Sequence, residues 1–225
     1  MGWAATELSP LSQSFVDFAS AHTPGPVLDI GAAPGLASAA VLAAGGAVNV
    51  IANDLDTSLL TALPAEGHPR LQLVAGRFPR ELRFAEASLG AVHASSVFHF
   101  LTGIQIAKGL ASIAHWLRPG GKLFVQTASP YQAPFGAFLD EYARRCNAGV
   151  EWPGWVEHTR DYSSHRLLGQ MPKSLHLLDE NTLARSATAA GLHVERAWLY
   201  RRPDCPRELR LDGRESAALI AVKPD

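Results

Sequence analysis

Val27-Leu28-Asp29-Ile30-Gly31-Ala32-Ala33-Pro34-Gly35, continued without a break by Leu36-Ala37-Ser38-Ala39-Ala40-Val41-Leu42-Ala43-Ala44, is the stretch whose reading decides the fold. An apolar run of strand length ends in small residues and passes directly into an alanine-rich helical run, the pattern of strand, tight loop and helix in an α/β unit. The loop then stands at the carboxyl end of a strand. Gly31, Ala32, Ala33 and Gly35 carry almost no side chain, so a ligand can approach the backbone there and meet unpaired N–H groups at the helix start. The competing reading is a βα turn kept small only because helix and strand pack closely. The glycines do not fit GxGxxG and no GK[ST] follows, which excludes the dinucleotide fingerprint and the P-loop.

The 225 residues, 18% charged and 47% hydrophobic, describe an ordinary globular chain with one substantial core, read as a single domain over 1–225. A net charge of −1 and a pI near 6.8 argue against a general nucleic-acid binder. Cys146 and Cys205 are the only cysteines and lack CxxC spacing, so neither a disulfide framework nor a zinc site is expected. A reducing, cytoplasmic setting fits. No basic start precedes an apolar run, and no apolar stretch approaches ~18 residues, so neither signal peptide nor membrane span is expected.

Outward from the loop, Ser9 to Ala21 reads as a leading helix within residues 1–24, with Leu11, Phe15 and Phe18 on one face and Pro24-Gly25-Pro26 as its stop. Ala47 to Ala52 reads as a second strand ending in Asn53-Asp54-Leu55-Asp56. Asp54, at a strand tip about 20 residues past the loop, suits the hydroxyls of a ribose, whereas Asp56 reads as a helix cap. A short helix near Thr57 to Leu63, a strand Leu71 to Val74, the loop Gly76-Arg77-Phe78, a strand Ala91 to Ser95, a helix Gly103 to Leu117 and a strand Lys122 to Thr127 follow. Strands alternating with helices imply a doubly wound α/β sheet, mostly parallel, with right-handed crossovers. Between 129 and 178 the alternation stops, and aromatic residues among Pro and Gly read as an inserted helical cap. A helix from Asp179 to Ala190 and strands His193 to Tyr200 and Ser216 to Val222 close the chain, the last two as an antiparallel pair.

These residues resemble a class I methyltransferase dependent on S-adenosylmethionine, over nearly the whole chain. Asp29 to Gly35 is similar to the family's first motif, Asp54 to its ribose acid, Leu117 to Leu123 to the turn before the fifth strand, and Ser95 to Leu101 to the stretch after the fourth. The resemblance implies a seven-stranded sheet with one reversed strand, S-adenosylmethionine as cofactor, and cofactor contacts at Asp29, Gly31, Ala32, Ala33, Gly35, Asp54, Leu55, Ser95 and Ser96. Two positions depart from the pattern. Where many members carry an acid for the adenine amino group this chain has Gly76-Arg77, which leaves adenine to the backbone of Gly76, Arg77 and Phe78, and Gly90 replaces the usual acid at the start of strand four.

Methyl transfer is an in-line displacement, so alignment and exclusion of water dominate, and a base contributes if the acceptor loses a proton. His99 is the first candidate base, with a structural or cofactor-contacting histidine as the equal alternative. His158 is a second candidate, sharing a helical face with His165 if the cap is helical there, while His165 itself and His93 read as surface and core. The nine histidines show no metal-ligand spacing. Tyr131, Phe135, Trp152 and Trp155 form a candidate aromatic acceptor pocket, with plain packing of the cap as the alternative. The expected activity is O- or N-methylation of a small molecule. Protein methylation, RNA ribose methylation and cofactor binding without turnover are the rivals. The Lys-Asp-Lys-Glu set of the RNA enzymes lacks its aspartate after strand four.

Overall fold

The computed structural model describes residues 7–21, 25–55, 57–61, 67–162, 171–202 and 206–225. Pro24, Asp56, His165 and Cys205 lie outside them, as does the end of the short helix expected to reach Leu63.

Helix α1 (Pro10–Ser20) starts as the sequence implies, with Ser9 accepting the Ser12 N–H at its N-cap and Pro10 at the first helical position. Strand β1 (Val27–Ile30), helix α2 (Leu36–Ala43), strand β2 (Val50–Asp54), helix α3 (Thr57–Thr61), strands β3 (Leu71–Ala75) and β4 (Leu89–Ser95), helix α4 (Gly103–Trp116) and strand β5 (Leu117–Ala128) follow. The expected strand from Ala47 begins three residues later and runs on through Asp54. Strand β5 starts earlier than Lys122 because Leu117 already pairs with Leu89. Residues 118–121 then bulge opposite Gly90 before Lys122 resumes the ladder against Ala91. Gly121 is needed there: a Cβ on it would lie 3.0 Å from the Gly90 carbonyl and 2.8 Å from that of Arg118.

The sheet runs β3-β2-β1-β4-β5-β9-β8, where β8 is His193–Tyr200 and β9 is Ser216–Val222. Strand β9 is antiparallel to both of its neighbours, so it alone is reversed. Successive residues point to opposite faces, and two cores result. Leu28, Leu123 and Ala217 face α4 and α6 (Glu180–Ala189) beside Ile106, Leu110, Ile113 and Leu183. Val27, Phe124 and Ala218 face α1 and α2 beside Leu11, Phe15 and Val41. Each such fully buried side chain contributes about 1.5–3 kcal/mol by leaving water.

Register sets the level of the strand tips. Ile30 pairs with Asn53 and with Ala94, and Ser95 pairs with Gln126, so Gly31, Asp54, Ser95 and Gln126 form one carboxyl-end rim.

Between β5 and α6 lies the inserted cap. It holds helix α5 (Leu139–Asn147) and a two-stranded hairpin, β6 (Trp155–Val156) with β7 (Leu175–His176), that the sequence reading does not anticipate. Phe135, Phe138, Tyr142, Val156, Leu175 and Leu177 give the cap a core of its own. The hairpin is set tightly, since a Cβ on Gly154 would fall 1.6 Å from the Leu177 carbonyl oxygen. No helix among the described residues is long and apolar enough to cross a membrane.

Candidate functional site

A cleft of about 100 Å³ opens on the rim of the sheet. The β1–α2 loop forms its floor through Gly31, Ala32, Ala33 and Pro34, the β4 tip contributes Ser95 and Ser96, and the start of α1 contributes Glu7 to Ser9 and Ser12. Asp29, His93, Gln126 and Arg202 complete the wall.

Gly31 must be glycine on two counts. Its φ is +67°, and a Cβ there would sit 2.5 Å from Cγ2 of Val97. Gly35, at φ +88°, is the N-cap of α2 and turns the chain into the helix. The expected array of unpaired loop N–H groups is corrected by the structure. The Ala32 N–H donates to the Asn53 carbonyl, that of Gly35 to the Ala32 carbonyl, and that of Ala33 to Oδ2 of Asp54 at 3.3 Å. So short a loop satisfies these donors internally, and offers close approach to bare main chain instead.

Asp54 also accepts the Leu55 N–H at Oδ1, 2.7 Å away, which holds the carboxylate at the β2 tip against the loop. Leu55 beyond it is 60% exposed, an apolar surface beside the carboxylate. Gly76 donates its N–H to the Asp54 carbonyl, and its own carbonyl accepts from Nδ2 of Asn53, which ties the β3 end to β2. Arg77 donates its N–H to Oε2 of Glu81 at 2.7 Å, so a carboxylate does reach the end of strand three, folded back from four residues further on. The Phe78 side chain is buried and stacks with Phe98 at 6.1 Å.

Asp29, only 2% exposed, accepts from Ser38 Oγ at 2.7 Å and bonds Nδ1 of His93 at 2.8 Å. Arg202, 8% exposed, reaches the same cleft from the end of β8. Gln126 donates to Ser95 Oγ and accepts from the Tyr200 hydroxyl. Sequence reasoning misses Arg202, Gln126, Ser9 and Ser12. Only the two serines carried a local signal, as polar groups at the start of an amphipathic helix.

His99 follows β4 on the short helical turn Phe98–Phe100, with Nδ1 3.4 Å from Oγ1 of Thr127. Its pKa is pushed down to about 4, first by burial and then by the Arg202 guanidinium. The cap docks beside this turn. His176 Nδ1 donates to the Leu101 carbonyl at 3.1 Å, the Leu178 N–H donates to the Ala128 carbonyl, and Trp152 lies where any Cβ on Gly103 would have to go.

The four aromatic candidates fall into two groups. Tyr131 and Phe135 belong to the cap core, where Phe135 is wholly buried, whereas Trp152 and Trp155 set their edges against His176 at 5.2 and 5.6 Å. His158 is exposed on the cap and does not line the cleft.

His176 is fully buried and its pKa is also pushed down to about 4, mainly by burial, against the Leu101 bond that raises it. An unfolded imidazole takes up its proton near 6.5, so between there and about 4 the unfolded state binds a proton that the folded state refuses. Stability is therefore full above about pH 6.5 and falls as pH drops toward 4, at up to about 1.4 kcal/mol per pH unit for each such histidine. Melting temperatures across that window are expected to fall less steeply for His176→Gln than for the parent protein. Parallel curves would contradict the assignment.

Residues 27–121 match the model of a methyltransferase domain family. Solved structures share the fold across almost the whole chain. An S-adenosylmethionine-dependent methyltransferase from Methanosarcina mazei superposes with a TM-score of 0.68 at 13% identity, covering 97% of this chain and 99% of that one. The 1,6-didemethyltoxoflavin-N1-methyltransferase of Burkholderia thailandensis, solved with 1,6-didemethyltoxoflavin and S-adenosylhomocysteine, gives 0.61 at 19% identity, covering 96% and 79%. The methyltransferase in complex with the Trm112 activator of Haloferax volcanii gives 0.61 at 17%, covering 96% and 90%. Comparison with curated protein sequences gives no match. Residues 27–121 thus match a methyltransferase domain, and the whole chain has the fold of S-adenosylmethionine-dependent methyltransferases.

The rim has the groups that S-adenosylmethionine, named for these structures, would need. A buried carboxylate and a buried guanidinium line one cleft, the complement of an ammonium and a carboxylate on one amino-acid tail, and the Asp54 carboxylate stands one strand away.

Proposed function

We propose that this methyltransferase acts on an oxygen or nitrogen of a small molecule held between the strand tips and the cap of residues 129–178. The cofactor supplies an electrophilic methyl group on a sulfonium. Glycine at position 31 lets that ligand lie on main chain, Asp29 and Arg202 hold its tail, Asp54 its ribose, and Leu55, Gly76, Arg77 and Glu81 border its adenine. The observation that carries the proposal for the acceptor is the cap's attachment to the rim on both sides of the His99 turn, at Leu101 and at Ala128. An acceptor beside His99 is thereby covered by a unit with its own core, an enclosure suited to a metabolite more than to a folded macromolecule.

With a pKa near 4, His99 is neutral throughout the physiological range and keeps a lone pair for the acceptor's proton. A weak base suffices, because the acceptor atom becomes a far stronger acid as it gains its new bond. His99→Ala is expected to lower turnover by about 10²–10³-fold with unchanged affinity for S-adenosylhomocysteine. kcat/KM of the parent should show no His99 inflection between about pH 5.5 and 8. An inflection near 6.5 that vanishes in the variant would overturn the lowered pKa, whereas parent-like turnover of His99→Ala would remove it as the base. The acceptor class is tested by supplying S-adenosylmethionine with metabolite extracts, peptide arrays or RNA, and following S-adenosylhomocysteine. Product from the metabolites alone is expected, whereas methylated peptide or RNA would refute a small acceptor.

A further inference from the structure

A chain of buried polar groups runs from the start of α1 to the floor of the cofactor cleft. Ser9 Oγ and Ser12 Oγ lie 3.0 Å apart, Ser12 Oγ lies 3.0 Å from Nε2 of His93, and Nδ1 of His93 lies 2.8 Å from Oδ1 of Asp29. Ser9, Ser12, His93 and Asp29 are exposed by 7, 5, 3 and 2% respectively, and all four line the cleft. Phe15 stacks on the imidazole at 4.8 Å and fixes its plane.

The directions of these bonds follow from counting donors. A carboxylate only accepts, so Nδ1–H of His93 donates to Asp29, and in the neutral tautomer that this selects Nε2 accepts. The Ser12 hydroxyl must then donate to Nε2, and its oxygen accepts from the Ser9 hydroxyl. Ser9 Oγ in turn accepts the Ser12 backbone N–H at 3.1 Å. In that arrangement every group along the line is satisfied in one direction. Ser38 Oγ fixes the second carboxylate oxygen from α2. Each oxygen of Asp29 retains an acceptor lone pair.

We infer that Ser12 and His93 are positioning residues for the cofactor, holding the Asp29 carboxylate in the orientation that receives the ammonium of its amino-acid tail, and that helix α1 is thereby part of the cofactor site. The inference rests on the tail lying in this cleft. Placed in a strand between two apolar layers, His93 could have been a core residue with incidental partners. Its partners, however, are one residue of the cleft floor and one of the helix over it, and both of its nitrogens are used to join them.

The test compares two ligands that differ in the tail. S-adenosylhomocysteine carries the ammonium, and 5′-methylthioadenosine keeps the nucleoside and sulfur without it. Calorimetric affinities are measured for the parent, Ser12→Ala, Ser12→Thr and His93→Gln, with melting curves to confirm folding. Ser12→Ala and His93→Gln are expected to weaken S-adenosylhomocysteine about tenfold and to leave methylthioadenosine unchanged, with Ser12→Thr, which keeps the hydroxyl, restoring most of the loss. Equal weakening of both ligands would reduce the relay to general support of the fold, and unchanged affinity for both would remove it from the site. Failure of the parent protein to bind either ligand would instead sink the placement of the cofactor.

Discussion

Gly31→Val is expected to abolish binding of S-adenosylhomocysteine, with affinity lost by more than about 100-fold, or about 2.7 kcal/mol. Two costs act together. The backbone at φ +67° lies in the left-handed region, where a β-branched residue is strained, and the new Cβ would meet Cγ2 of Val97 at 2.5 Å. The loop or the Val97 turn must shift, and either movement puts side chain into the floor of the cleft. Gly31→Ala introduces the same Cβ without the branch and is expected to fall between parent and valine. Calorimetry with a melting curve for each variant separates lost binding from lost folding. Parent-like affinity in a folded Gly31→Val protein would show that no ligand lies on this loop.

The second large effect is expected from Asp54→Ala. Hydrogen bonds to a charged group contribute about 1.5–3 kcal/mol, so loss of the carboxylate should raise the dissociation constant of S-adenosylhomocysteine by about 10- to 100-fold. The same change leaves the Ala33 N–H without the acceptor it has at 3.3 Å, which loosens the loop as well as removing the proposed ribose contact. Asp54→Asn keeps an oxygen for that N–H and is expected to lose less. Methylthioadenosine, which keeps the ribose, should weaken in parallel with S-adenosylhomocysteine, in contrast to the tail-selective losses expected from Ser12→Ala. Unaltered binding of both ligands to Asp54→Ala would remove this strand tip from the site.

Much of this architecture was readable from local pattern. The run from Val27 to Gly35 announces its strand and turn because small residues at a strand end are a local property, and Asp54 declares itself by standing where an apolar run stops. His193–Tyr200 and Ser216–Val222 match their expected ranges residue for residue. What escaped depends on residues distant in the chain. Leu117 pairs because Leu89 is its neighbour, which no helical periodicity reports. The Ala33 N–H is occupied by a carboxylate 21 residues away, and Glu81 returns to the end of β3 only because the following turn folds back. His93 reads as an apolar-strand histidine until α1 brings Ser12 to its far nitrogen, 81 residues away in sequence. Arg202 follows an edge strand, and its place in the cleft is set by the sheet order, which puts β8 and β9 beside β5.

The aromatic cap residues illustrate the same limit. Composition marks Tyr131, Phe135, Trp152 and Trp155 equally, yet packing separates them, because a unit that docks on a rim must first bury apolar surface within itself. Phe135 is consumed in that task, and Trp152 is held against the glycine that begins α4.

That separate interior has an evolutionary consequence. Since Phe135, Phe138, Tyr142, Val156, Leu175 and Leu177 pack chiefly among themselves, substitutions within that cluster are expected to spare the layers around the sheet, whereas Trp152 and Leu178 couple the cap to them. If the acceptor lies under the cap as proposed, its pocket can change with that module while the strand tips keep their geometry.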